Sequence, residues 1–175
     1  MDSTGSSKTP PAATAEDPAA AQHLARAIAL ATENVRNAGG PFGAVVVTAE
    51  GRVFEGVNRV TADVDPSAHA EVTAIRNACR QLGTFDLAGS VLYASCEPCP
   101  MCLATSLWAR IDRVSFAANR DDAADAGFDD ALFYRYFEGD AADRVIMPVA
   151  QEALPPAQRV EPFTEWNTLS TRTEY

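Results

Sequence analysis

The chain has 175 residues, of which 47 % are hydrophobic, and its formal net charge is −10 at neutral pH. This length suits one domain with a substantial core and is too short for two ordinary domains, and the hydrophobic content excludes a wholly disordered chain. The acidic balance disfavours nucleic-acid partners, because affinity for nucleic acids depends mainly on basic side chains that neutralise phosphates. We therefore expect a small, uncharged substrate.

Residues 1–17 are rich in Ser, Thr, Ala and Pro and are expected to form a disordered N-terminal tail. They lack the apolar stretch of a secretory signal, and no later segment is apolar over a membrane-spanning length. Three of the four cysteines, Cys96, Cys99 and Cys102, fall within seven residues. Such clustering indicates metal binding before disulfides. We expect a cytoplasmic protein that has no membrane partner.

The hydrophobic pattern alternates between helical and extended segments. A helix begins at Pro18 and is stopped by Gly39-Gly40-Pro41. Periodicity predicts the remaining elements in chain order: a hairpin over 43–57, a helix over 68–82, a strand over 90–95, a helix over 99–110, a strand over 113–118, a short helix over 121–125, a helix over 130–138 and a strand over 145–149. This order predicts an α/β fold, a three-layer α/β/α domain around a mixed five-stranded sheet. We expect that domain to span 18–150, followed by a C-terminal segment over 151–175.

A pattern of metal-binding residues occupies the middle of the chain. His69-Ala70-Glu71 is followed by Pro98-Cys99-Pro100-Met101-Cys102. His69, Cys99 and Cys102 would leave the fourth position of a tetrahedral Zn²⁺ open to water, as in catalytic rather than structural sites. Glu71 need not touch the metal and could transfer protons as a general acid–base. The H-x-E…P-C-x-x-C pattern is typical of zinc nucleobase deaminases, so we predict a hydrolytic enzyme with one Zn²⁺ per chain.

Other interpretations of these residues stay open at this point. Cys96 also forms a C-x-x-C pair with Cys99, which is compatible with a redox pair or with a closed structural zinc site in an interaction module. A closed site would leave Glu71 without a role, and Cys96 precedes Pro98, away from the start of the next helix. We therefore expect Cys96 to be a packed thiol. Glu71 considered alone could be a first-turn acid that complements the helix dipole.

From Gly39 to about Asp130 the sequence resembles the cytidine/deoxycytidylate deaminase superfamily, and within it the bacterial guanine deaminases. The resemblance is carried by four segments: GPFGAV at 40–45, HAEVTAIR at 69–76, SCEPCPMC at 95–102 and AGFDD at 126–130. The first three recur in cytosine deaminases and tRNA adenosine deaminases, so they indicate the chemistry more than the substrate. The fourth, with the aromatic C-terminal residues, favours guanine. ATS at 104–106 departs from the usual Gly-Ala-Ile.

The resemblance implies roles for five further residues. Phe42 would lie against the base, Asn58 would hydrogen-bond its ring, and the Ala70 N–H would contact its carbonyl. Asp130 would recognise the purine or assist the second proton transfer. Tyr175 would come over the pocket of its own chain or of the partner in a homodimer, which could be domain-swapped. Structural alternatives are a core position for Phe42, a turn position for Asn58 and an N-cap for Asp130.

The resemblance therefore implies a hydrolase that acts on C–N bonds of cyclic amidines and uses water to convert guanine to xanthine and ammonia. A carboxylate suits guanine, whose N1–H and amino group are adjacent donors, and a mismatched donor pattern would leave buried polar groups unpaired. The alternatives are guanosine or another aminated purine or triazine, cytosine, and adenosine in tRNA. The sequence does not decide whether Asp129 or Asp130 contacts the substrate.

Overall fold

The computed structural model describes residues 18–139 and 142–174. The predicted N-terminal tail over 1–17 and the predicted pocket residue Tyr175 lie outside the described residues. The chain divides into two compact units, the first ending at Asp130 and the second beginning at Ala131. Of the helices in the described ranges, none has the length and apolarity that crossing a bilayer requires.

A mixed four-stranded sheet with the strand order β2-β1-β3-β4 forms the centre of the first unit. The strands are β1 (Gly43–Val47), β2 (Val53–Val57), β3 (Val91–Cys96) and β4 (Arg113–Ala118). β1 pairs antiparallel with β2 and β3, whereas β3 and β4 are parallel. Because neighbouring parallel strands run in the same direction, the chain leaves β3 and β4 at the same edge of the sheet.

Helices cover both faces of this sheet. The helices of the first unit are α1 (Pro18–Arg36), α2 (Val60–Asp63), α3 (Ala70–Leu82), α4 (Pro100–Trp108) and α5 (Arg120–Asp125). Successive strand residues face opposite sides. Val45 accordingly packs in a cluster with Ala27 of α1, and Val46 packs in a second cluster with Ile75 of α3. The predicted three-layer α/β/α arrangement with a mixed sheet is confirmed.

The second unit differs from the prediction. It contains α6 (Ala131–Glu138), a 3₁₀ helix (Asp143–Ile146) and α7 (Pro156–Thr168). The predicted fifth strand over 145–149 is wrong, and the described residues form four strands. Val145 and Val149 are 71 % and 81 % exposed, so this short apolar run is not buried as a sheet core would require. Pro148 also lacks the N–H that a strand ladder uses.

Candidate active site

Three side chains converge where α3 and α4 begin. His69 is the N-cap of α3, Cys99 is the N-cap of α4, and Cys102 lies in the first turn of α4. His69 Nδ1 lies 3.6 Å from the Sγ atoms of Cys99 and Cys102, and those two Sγ atoms are 3.6 Å apart. Ligand atoms of a tetrahedral zinc site with these donors are separated by about 3.5–3.8 Å. The donor set and its spacing therefore fit one Zn²⁺.

The local sequence explains the placement of the two cysteines. A residue before proline is restricted to extended backbone, and Cys99, which precedes Pro100, has φ −65° and ψ 167°. Proline is favoured at the first helical position, so Pro100 begins α4 directly after Cys99. Residues three apart lie on the same side of a helix, which brings Cys102 next to Cys99. The positive end of the helix dipole favours thiolates at this position.

The thiols differ in how readily they lose a proton. The hydrogen bond with Cys102 lowers the pKa of Cys99 to about 4, and the neighbouring His69 acts in the same direction. The same bond and burial raise the pKa of Cys102. Burial raises the pKa of Cys96 to about 11, and its Sγ lies 3.5 Å from the carbonyl oxygen of Asn119. Among the described residues, the group that could hold a metal includes Cys99 and Cys102 and leaves Cys96 out.

Glu71 lies in the first turn of α3 and is 7 % exposed. Burial raises the pKa of its carboxyl group, and the negative charge of Cys99 adds to this effect. The carboxyl group also interacts with the Cys102 thiol. A carboxylate whose pKa is raised binds a proton more readily than one in water and can still release it. Its position and its pKa suit a group that accepts and returns a proton next to the metal ligands.

The predicted base-contacting residues of the first unit lie on adjoining segments. Phe42 meets Phe128 edge to face, with ring centroids 5.1 Å apart and an interplanar angle of 87°. The carbonyl oxygen of Phe42 accepts a hydrogen bond from the Asn58 N–H at 3.0 Å. Asn58 Oδ1 accepts a hydrogen bond from the Val60 N–H at 3.3 Å, so the Asn58 side chain also stabilises the turn that the sequence predicted there. Ala70 is fully buried at the start of α3, where backbone N–H groups have no intrahelical acceptor.

Asp130 lies close enough to the metal-binding group for its charge to interact with those of His69 and Cys99. It is half-buried, and this burial raises its pKa, with the negative charge of Cys99 acting in the same direction. The charge of Asp130 in turn contributes to the raised pKa of His69, whose main cause is the hydrogen bond with Cys99. Asp129 is exposed. Of the two carboxylates that the sequence left open, Asp130 is therefore the better placed.

A family model describes this part of the molecule. Residues 18–118 match the model of the cytidine and deoxycytidylate deaminase zinc-binding region. The chain belongs to this deaminase family. The predicted superfamily is thus confirmed, and the His-Cys-Cys group agrees with one zinc ion per chain.

Similar proteins extend the match beyond the zinc-binding region. Guanine deaminase of Bacillus subtilis (strain 168) is 48 % identical over 153 residues, which cover 87 % of this chain and 96 % of that protein. An X-ray structure of guanine deaminase from Bacillus subtilis has a TM-score of 0.81 and 46 % identity, and covers 89 % of this chain and 98 % of that chain. A tRNA-specific adenosine deaminase of Aquifex aeolicus (strain VF5) is 42 % identical over 78 residues, covering 45 % of this chain and 52 % of that protein. The chain is a zinc-dependent hydrolase of C–N bonds with a small-molecule substrate.

In the deaminase, hydrogen bonds between Glu97 and Arg120 connect the segment just before Cys99 to the segment after β4. Arg120 donates to Glu97 Oε1 from Nη2 at 2.6 Å and from Nε at 3.1 Å, and its backbone N–H donates to Oε2 at 3.1 Å. The Glu97 N–H in turn donates to the Ala118 carbonyl at 2.8 Å. These bonds join the residues just before Cys99 to the start of α5, which leads to Asp130. The sequence alone assigns no role to Glu97, Arg120 or Phe128, although Glu97 and Phe128 lie within the SCEPCPMC and AGFDD segments.

Replacing Glu97 in the deaminase by glutamine is expected to lower stability at neutral pH but not at low pH. The bond from Arg120 holds the pKa of Glu97 below its ordinary value of 4.5, so the stabilisation is present above that value and disappears as the pH falls through the lowered pKa. Because Arg120 is 43 % exposed, we expect a loss of only about 0.5–1 kcal/mol at pH 7. Urea unfolding of Glu97→Gln and wild type at pH 7 and pH 3.5 (roughly a unit below the ordinary value) measures this; an equal difference at both pH values would contradict it.

Proposed function

We propose that this deaminase converts guanine and water to xanthine and ammonia. The observation that carries the proposal is the half-buried Asp130 carboxylate, whose charge interacts with those of His69 and Cys99. A carboxylate can accept hydrogen bonds from adjacent donors, and guanine presents its N1–H next to the amino group that leaves. Similarity to a guanine deaminase over 87 % of the chain supports the same substrate, whereas similarity to a tRNA deaminase covers 45 %.

In this proposal His69, Cys99 and Cys102 hold the zinc ion. The ion, when bound, would activate water by lowering its pKa and would stabilise the negative charge on the attacking oxygen. Glu71 takes one proton from the attacking water and passes it to ring nitrogen N3 as the water oxygen bonds to C2. It then takes the remaining proton of that water and delivers it to the amine nitrogen, so that the C2–N bond breaks and ammonia departs. Because Glu71 is buried and its pKa is raised, the same carboxyl group can both accept a proton and release it.

The base is held by residues that do not take part in proton transfer at the metal. Phe42 lies against the face of the purine, and the Asn58 amide hydrogen-bonds to its ring. The Ala70 N–H donates to the base carbonyl, as the first N–H of a helix is oriented to do. Asp130 accepts from the donor side of guanine and is also placed to assist the second proton transfer. The role of Tyr175, which lies outside the described residues, stays a prediction, for its own chain or for the partner.

Ammonia release from six compounds tests the substrate: guanine, guanosine, cytosine, cytidine, adenine and ammeline. We expect guanine to be preferred. Asp130→Ala is expected to lower kcat/KM for guanine by about 100-fold, because it removes the acceptor that matches the donors of the base. Asp129→Ala is the matched control, since it removes an exposed carboxylate of equal charge at the next position. Preference for cytosine, or unchanged guanine turnover by Asp130→Ala, would refute the assignment.

We further propose a homodimer, which could be domain-swapped, in the cytoplasm. Residues of the second unit expose large apolar side chains, among them Phe133, Phe137 and Phe163. Exposed apolar clusters are typical of association surfaces. All four cysteines, which lie within the described ranges, are free thiols, as suits a reducing compartment. The net charge of −10 supports a small base over a nucleic acid as the substrate.

A further inference from the structure

A side-chain amide of α1 binds two backbone carbonyls that border the proposed base contacts. Asn34 Nδ2 donates to the Gly40 carbonyl at 2.8 Å and to the Asn58 carbonyl at 2.9 Å. An amide NH₂ group has two hydrogens, so both are used. Asn34 is half-buried and lies two residues before the end of α1. It joins one helix to two separate segments of chain.

These bonds fix the distance between the segments that carry Phe42 and Asn58. The Phe42 N–H donates to the Gly40 carbonyl at 2.9 Å, and the Phe42 carbonyl accepts from the Asn58 N–H at 3.0 Å. Backbone hydrogen bonds thus link Gly40 to Phe42 and Phe42 to Asn58. The Asn34 amide binds the carbonyl oxygens of Gly40 and Asn58, the two outer residues of this chain of bonds. Removing the amide would leave the two segments joined by the Phe42 bonds and by the adjoining β1–β2 ladder, in which Gly43 pairs with Val57.

Two glycines leave the space that this arrangement needs. A Cβ atom at Gly39 would overlap the Asn34 amide, and a Cβ atom at Gly40 would lie 2.9 Å from Asn58 Oδ1. Carbon and oxygen atoms that are not bonded do not approach so closely without displacement. The Gly39-Gly40 pair, which the sequence identifies only as the end of a helix, therefore also accommodates the Asn34 and Asn58 side chains. An alanine at either position would displace one of them.

We propose that Asn34 is a positioning residue for base binding, which keeps Phe42 and Asn58 in register without touching the base itself. This inference rests on the proposed function, because it takes Phe42 and Asn58 as base contacts. Contacts with the unreacting part of a substrate are made equally in the ground state and the transition state, and their loss raises KM more than it lowers kcat. Loss of the Asn34 amide should therefore also raise KM more than it lowers kcat.

Asn34→Ala tests the inference, with Asn77→Ala as the matched control. Asn77 is also a half-buried helical asparagine, and its Nδ2 donates to the Glu55 carbonyl on β2 at 2.9 Å rather than to Gly40 or Asn58. We expect Asn34→Ala to raise KM for guanine about tenfold with kcat within about twofold of wild type, since small displacements of binding groups are costly. Both variants should lose similar thermal stability and keep their zinc, and Asn77→Ala should keep its KM.

A second substitution separates the loss of the hydrogen-bond donor from the loss of side-chain volume. Asn34→Asp keeps the size of the side chain but replaces the NH₂ donor with an acceptor that faces two carbonyl oxygens, so its KM should rise at least as far. An unchanged KM in the Asn34 variants, or an equal rise in Asn77→Ala, would overturn the inference.

Asn58→Ala separates this inference from the proposed function. If Asn58→Ala raises KM while Asn34→Ala does not, the function stands and the positioning role is wrong. If wild type does not turn over guanine, or Asn58→Ala leaves KM unchanged, the proposed base contacts fail and the inference about Asn34 fails with them. A rise in KM in both variants, absent from Asn77→Ala, supports both.

Discussion

Glu71→Gln is expected to keep its zinc and its fold but to lose guanine deamination by about 10³- to 10⁴-fold, the range of a general acid–base contribution. The amide occupies the same space as the carboxyl group but cannot carry a proton from water to the leaving amine. Burial raises the pKa of Glu71, which means that the site disfavours a negative charge. A neutral amide removes that cost, so the thermal midpoint should equal or exceed that of wild type.

Ammonia release, zinc content and thermal unfolding of the same preparation measure these effects together. Glu55→Gln is the control, because the Glu55 carboxylate pairs with Arg26 at the surface at 2.6 Å and is remote from the metal ligands in sequence. It should retain activity. Near-normal ammonia release by Glu71→Gln would remove this residue from the mechanism. Loss of zinc would instead make it a support of the metal site.

Cys102→Ala is expected to lose both the metal and the activity. Cys102 is fully buried, and its Sγ atom is one of three donor atoms within 4.8 Å of one another. Two remaining ligands hold zinc far less firmly than three, so zinc content should fall from one per chain to below about 0.1 after dialysis against a chelator. The thermal midpoint should fall as well, because a metal that binds only the folded state stabilises it.

Cys96→Ala is the matched control for this experiment. It removes the same sulfur atom from another buried position, and burial keeps the Cys96 thiol protonated by raising its pKa to about 11. We expect full zinc content and near-normal activity. A requirement for Cys96 would indicate a closed four-ligand structural site in place of an open catalytic one. Full occupancy in Cys102→Ala would exclude Cys102 as a ligand.

Local patterns predicted the first unit well because its elements have strong signals. The helix before Gly39 has an apolar stripe and a clear stop, and the strand predicted over 113–118 has the same bounds in the structure. The segment after Asp130 has weaker signals. α7 contains Pro162 and buries none of its described residues, so no apolar stripe marks it. The run over 145–149 is too short for periodicity to separate a strand from a helical turn.

In the site, too, the residues of a local motif could be predicted from the sequence, whereas residues that act through distant partners could not. His69, Glu71, Cys99 and Cys102 form a motif because their chemistry is rare and their spacing is set by two helix starts. Asn34 has no such signal, since a polar residue near a helix end is ordinary until its partner 24 residues away is known. Glu97 and Arg120, 23 residues apart, were missed for the same reason. Phe128 lies in the AGFDD segment at 126–130, but the sequence alone does not show its contact with Phe42.

The parallel pairing of β3 and β4 has a consequence for the redesign of this scaffold. The strand register, Leu92 opposite Val114 and Cys96 opposite Ala118, fixes where the chain emerges toward Cys99, whichever segment comes after β4. A different turn could therefore be grafted after Ala118, provided that it keeps the bonds from Arg120 to Glu97 just before Cys99. Loops on a rigid frame tolerate such exchange, and in sheets of this kind ligands bind beyond the carboxyl ends of the parallel strands. Exchange of this segment would change the residues next to the zinc ligands while leaving the strands that lead to them in place.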